Sequence, residues 1–192
     1  MSNHTKQYDN LNEMLLAAHT MEKFQRIHNV IRPDFILLLK ITEEQKSNEK
    51  EFDALYRACL TRFFTIIEAD IYGLNQLDMY DGYDDKKDRF IDKFKETYKQ
   101  ICKMWNKEEI QKKYFDSKLQ GLFELKKKRD ELVHPKELGH IHKASKKDFQ
   151  TLKTVFEDYD KFINDLMNDF FLNTIVPSKS RLENNPIKVV IQ

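Results

Sequence analysis

A chain of 192 residues, 40% hydrophobic and 12% aromatic, carries enough apolar material for one full core; this excludes a disordered polymer and a small stapled fold. A net charge of +1, from 33 basic and 32 acidic side chains, excludes a global electrostatic pull towards nucleic acid. Four glycines and four prolines are too few for the turns of a strand-rich fold, so an all-α, antiparallel helical bundle is expected.

The opening "MSNHTKQYDNLNEM" lacks a basic start followed by an apolar stretch, and no run approaches the length of a bilayer span. A cytoplasmic protein with no membrane contact is the expectation. A first helix is predicted over residues 8 to 31, with Leu11, Met14, Leu15, Ala18, Met21, Phe24, Ile27 and Ile31 on one inward stripe. Arg32 and Pro33 should interrupt it. The short apolar run "DFILLLKIT" (34 to 42) fits a buried helix or a strand, and its helical neighbours favour the helix. Residues 1–46 thus read as an N-terminal helical extension.

Asn48 with Glu51 three positions on has capping-box spacing, so a long helix is expected to follow, striped by Phe52, Leu55, Tyr56, Cys59, Phe63, Ile66, Ile67, Ile71 and Leu74. It should end near "LDMYDGYDD", whose acids miss the alternating ligands and closing Glu of a calcium loop and read as a turn. A third helix is predicted over 85 to 105, carrying Phe90, Ile91, Phe94, Tyr98, Ile101 and Met104. The fourth spans 108 to 134, with Ile110, Tyr114, Leu119, Leu122, Leu125, Leu132 and Val133 inward. Ser145 and Asp148 begin a fifth, lined by aromatic and aliphatic residues from Phe149 to Phe171. The main domain is therefore 47–176. Residues 177–192 form an irregular tail whose end, "IKVVIQ", suits docking as a strand. Cys59 and Cys102 have no disulfide or zinc spacing and read as reduced core residues.

Charge is unevenly placed. Residues 126 to 147 hold eight basic side chains (Lys126, Lys127, Lys128, Arg129, Lys136, Lys143, Lys146, Lys147) against three acidic ones (Asp130, Glu131, Glu137), which suits an anionic ligand. Within it, "RDELVHP" sets Arg129 and Asp130 before His134, and Pro135 ends the helix because its ring clashes with the preceding turn. Five positions put Arg129 and His134 about 140° apart on an ideal helix, so a regular helix keeps them from meeting. The residue before a proline leaves the α region, which lets His134 turn back towards the long Arg129 arm. An imidazole can exchange protons with a ribose hydroxyl or a leaving oxygen, and a guanidinium can clamp the phosphate between them. The same two residues also suit a plain C-terminal cap on the helix dipole.

An Arg followed by a polar residue, with a His after four to six intervening positions near a helix end, is the signature of HEPN domains, and "RDELVHP", with four intervening residues, resembles it. The resemblance implies a helical bundle over roughly residues 48 to 176 that cleaves RNA without a metal or cofactor. It also implies a homodimer in which two Arg-His pairs share one cleft. His134 would be the acid or base, Arg129 the phosphate clamp and Asp130 an orienting group; Lys126, Lys127, Lys128 and Lys136 would bind RNA. "RFFTIIEADIYGL" (62 to 74) looks like the core helix of such domains, with Arg62 and Glu68 as supporting residues. Many members are toxins or antiviral defence ribonucleases, so a protein antitoxin or defence partner is implied; others are noncatalytic modules that bind RNA or protein. His140 and His142 follow closely, yet no further Cys, Asp or Glu stands at metal-site spacing.

Overall fold

The computed structural model describes residues 8, 10–80, 82–84, 89–141 and 143–168. Among them there is no strand: six α-helices, α1 (Leu11–Glu44), α2 (Glu49–Asp78), α3 (Phe90–Met104), α4 (Glu108–Ser117), α5 (Leu119–Val133) and α6 (Lys146–Met167), plus one 3-10 turn at Leu138–His140. No helix among these residues is long and apolar enough to cross a membrane. The expected tail strand and Phe170 and Phe171 lie outside the described residues.

Helix α1 overturns the expected break at Arg32 and Pro33. It runs through Pro33, whose missing amide leaves the carbonyl of Asn29 without its helical donor, at a cost of about 3 kcal/mol. Met21 and Phe24 before the proline, and Phe35 and Leu39 after it, are all buried, and burying each contributes about 1.5–3 kcal/mol. Packing on both sides therefore outweighs the proline. The inward stripe is also corrected: Leu11, Leu15 and Ile27 are exposed, and Ala17, Phe35, Leu39 and Thr42 face the core instead.

Helix α2 is the central element. Its Asn48 N-cap accepts from the Glu51 amide at 3.4 Å, and it ends on Met79 in the left-handed region, φ 52°. Thr42 meets Cys59, Arg32 meets Asp70 and Phe24 lies over Gly73, so α1 and α2 are antiparallel. Gly73 makes that approach possible, because a Cβ there would sit 2.4 Å from the Phe24 ring. Not every neighbour is antiparallel. Phe64 meets Phe90 and Asn75 meets Thr97, so α3 runs in the same sense as α2; Phe52 with Phe149 and Phe63 with Phe156 show the same for α6. Three helices point one way and three the other.

The single fourth helix expected over 108 to 134 is two helices. Ile110 and Tyr114 point to the core about 100° away from the face used by Leu119, Leu122 and Leu125, which is one residue's rotation. Lys118 takes up that residue as a break, with φ −124° and ψ −22°. Val133, Ile91 and Met104, expected inward, are exposed. Cys59 and Cys102 are free and buried, and burial pushes their thiols up to about 11 and about 12. One hydrophobic cluster joins α1 to the helices beyond residue 46, centred on Phe63 with Phe35, Phe64, Phe156 and Tyr159 around it.

Candidate active site at the end of α5

Helix α5 is placed by Leu119, Leu122 and Leu125, all buried against the core, which leaves its opposite side and last turn to solvent. It runs antiparallel to α2, with Arg129 beside Glu68 and Val133 beside the earlier turns of that helix. Lys126 is drawn inward: it is buried, its ammonium lies 5.0 Å from the Phe90 ring centroid, and it donates to both Asp130 oxygens at 2.5 and 2.6 Å. It is thus a partner of Asp130 and not an open cation.

Asp130 also accepts from Arg129 Nη1 at 3.2 Å, while Arg129 Nη2 donates to Glu68 at 3.4 Å, a long contact. The Arg129 Nε is shielded from solvent and has no acceptor. The guanidinium is therefore oriented by two carboxylates, with its Nε donor buried and unpaired. His134 is the C-cap, with φ −126° and ψ 62°, and its amide donates to the Asp130 carbonyl at 3.0 Å. Its ring is exposed, and among the described residues no hydrogen bond joins it to Arg129. The proline releases the backbone as expected, but the two groups stay apart.

The remaining expected residues divide sharply. Lys127 lies 4.0 Å from Glu131 on the solvent side, and Lys128 is committed to Asp148 at 2.5 Å, tying α5 to the first turn of α6. Burial alone would raise the Asp148 pKa; hydrogen bonds from Lys128 and from the Ser145 hydroxyl and amide outweigh this and hold the carboxyl below its ordinary value. Lys136 has an exposed side chain, and its amide donates to His140 Nδ1 at 3.0 Å. His142 lies outside the described residues, among which no group of three His, Cys, Asp or Glu is arranged to hold a metal.

Between α2 and the end of α5 runs an open groove of about 570 Å³, lined by Arg57, Ala58, Thr61, Arg62 and Thr65 on one side and Leu132, Val133, Pro135 and Ile141 on the other. Both chain neighbours of His134 line it. Arg62 reaches Asp34 only at 3.9 Å, and Arg57 has no carboxylate partner among the described residues, so the groove has two lightly neutralised guanidiniums. Sequence reasoning missed Arg57. Its face is set by the register of α2, and only the turn of α5 above it marks it as a groove residue.

A second cluster was missed altogether. His28 and Arg32, one turn apart on α1, meet through Arg32 Nε donating to His28 Nδ1 at 2.7 Å. His28 Nε2 lies 2.5 Å from Oδ1 of the fully buried Asp70, at an angle too bent for a good hydrogen bond. Asp70 Oδ2 takes Arg32 Nη2 at 3.2 Å and the Tyr159 hydroxyl at 2.9 Å; Arg32 also pairs with Asp160. Tyr159 has spent its proton on Asp70, so Tyr98 donates to it across 2.7 Å. Burial, then the Asp70 carboxylate, pushes both phenols well above their ordinary pKa. With Nδ1 occupied by Arg32, His28 has no free lone pair for a substrate proton, and the cluster reads as a lock between α1, α2, α3 and α6. The spacing "HNVIR" was the available signal, since residues four apart share a helix face.

No family model, no curated protein and no solved structure matches this chain.

Proposed function

We propose that the chain is a metal-independent endoribonuclease of HEPN type, working without a cofactor, in a toxin-antitoxin or antiviral defence setting. His134 takes the proton from a ribose 2′-OH; the 2′ oxygen attacks phosphorus, the bond to the 5′ oxygen breaks, and a proton returns to that leaving group. Arg129 clamps the phosphate and meets the charge that grows on it, oriented by Asp130. RNA is the substrate and a second copy completes the cleft. A protein antitoxin or defence partner would restrain it.

The observation that carries this reading is the exposed imidazole of His134, which has no hydrogen-bond partner among the described residues and stands five positions from a guanidinium held by two carboxylate contacts. Arg57 and Arg62 in the adjoining groove supply positive charge for a phosphate backbone. Lys127 and Lys136 add to it from the surface; Lys126 and Lys128 are already paired.

One observation favours a second reading, a noncatalytic HEPN-like module that dimerises and binds RNA or a protein partner. Arg129 is engaged by Asp130 and Glu68 and makes no bond to His134. Labelled RNA incubated with the chain in EDTA separates the two: cleavage that disappears in Arg129→Ala and His134→Ala supports the enzyme, and binding without cleavage supports the module. In either case RNA affinity should fall as salt rises, and a salt-independent affinity contradicts the basic groove.

A further inference from the structure

Helix α1 buries one face, and among the described residues a second apolar face is left uncovered. Ile27, Val30, Leu37 and Ile41 are 50%, 59%, 55% and 39% exposed. With Asp34 between them they follow a 3-4-3-4 spacing, the seam of one helix laid along another. A seam of this length is uncommon on a surface that meets only water. Its core-facing counterpart, Phe24, Phe35 and Leu39, lies on the opposite side, so the two faces cannot be served by one neighbour.

We infer that this face binds a second copy of the chain, α1 against α1 in antiparallel sense, with the two-fold axis passing close to Asp34. Charge chooses the copy and its direction. The exposed Lys23 precedes the seam and the exposed Glu44 follows it, so antiparallel pairing sets Lys23 against the partner's acid, whereas parallel pairing sets like against like. The apolar residues fall into facing pairs under the same operation: Ile27 with Ile41, and Val30 with Leu37. Only Asp34 meets its own equivalent, and Arg62 stands beside it at 3.9 Å as a counter-charge in each copy. Because Arg62 also lines the groove next to His134, the interface borders both copies' grooves. The inference shares with the ribonuclease reading only the presence of a second copy, and its test uses no RNA.

Sedimentation measures the mass of the full chain, and single cysteines test the register. The native thiols are buried and leave the assay clean. The parent should sediment as a dimer, and Leu37→Glu as a monomer with unchanged helicity. Under mild oxidation Asp34→Cys should link to itself, and Val30→Cys mixed with Leu37→Cys should link to each other. Val30→Cys alone should not, since two such positions lie about 11 Å apart along the axis, beyond disulfide reach. A monomeric parent, or a dimer in which Leu37→Glu changes nothing, overturns the inference. Self-linking by Val30→Cys overturns the antiparallel register. Loss of RNA cleavage with this dimer intact would count against the ribonuclease reading alone.

Discussion

Arg, His and Asp recur close in the fold in two regions of the protein, and the two differ in what is left open to solvent. At His28, Arg32 and Asp70 the first two are four apart on one helix and meet a carboxylate from the next; His28 Nδ1, Asp70 Oδ2 and most of the Arg donors are used inside the fold, away from solvent. At Arg129, Asp130 and His134 the His stands five positions from the Arg, past the helix end, and keeps its ring open to solvent. Composition alone does not separate a structural lock from a candidate site. Spacing and the exposure of the imidazole to solvent do.

The largest loss of stability should follow from opening the lock. Asp70→Ala leaves Arg32 and His28 facing a buried void, and removing one partner of a buried pair costs about 3–5 kcal/mol. Urea denaturation should show that loss, whereas Asp130→Ala, at a half-exposed carboxylate whose removal leaves Lys126 with only the Phe90 ring, should cost less, about 1–3 kcal/mol. Equal losses would mean that the end of α5 is as structural as the lock. Gly73→Ala sharpens the same point: its methyl collides with Phe24, next to His28 in a ring contact of 4.1 Å, and overpacking there should cost about 1–3 kcal/mol in the same assay. A neutral outcome would show that α1 shifts freely on α2.

Smaller effects belong to the start of α6, where Lys128 ties the candidate site to the bundle. Ser145→Ala removes the cap on the Asp148 amide and should cost about 1 kcal/mol by thermal denaturation. Asp148 has a lowered folded pKa, so the unfolded chain binds its proton more readily and stability rises with pH in that range. Its contribution is complete above the ordinary carboxylate value, near pH 4, and fades as pH falls through the lowered one. Lys128→Ala should flatten that acid slope in a series of melts at pH 2 to 6. An unchanged slope would mean that the Lys128 contact does not hold Asp148.

The all-helical plan was legible because apolar residues recur at three-and-four spacing and because caps such as Ser145 with Asp148 mark starts. What was not legible came from tertiary packing. Pro33 breaks helices in isolation, and only burial of Phe35 and Leu39 beyond it decides otherwise. Residues 11 to 31 fit two stripes, and the sequence does not say which faces α2. The direction of α3 is set by tertiary contacts such as Phe64 with Phe90 and Asn75 with Thr97, which no local pattern records. At the site, the motif located Arg129, Asp130 and His134, while the inward turn of Lys126 followed from Phe90, a residue of another helix. The Asp70 lock draws on four helices and leaves only the His28 and Arg32 spacing as a trace.

The most direct measurement is cleavage of a labelled single-stranded RNA by the purified chain in EDTA, with His134→Ala and His28→Ala beside it. The parent should cut and His134→Ala should lose about 10²–10⁴-fold in rate at unchanged melting temperature, while His28→Ala keeps the chemistry and loses stability. An uncut RNA, or cutting that survives His134→Ala, would contradict the ribonuclease reading.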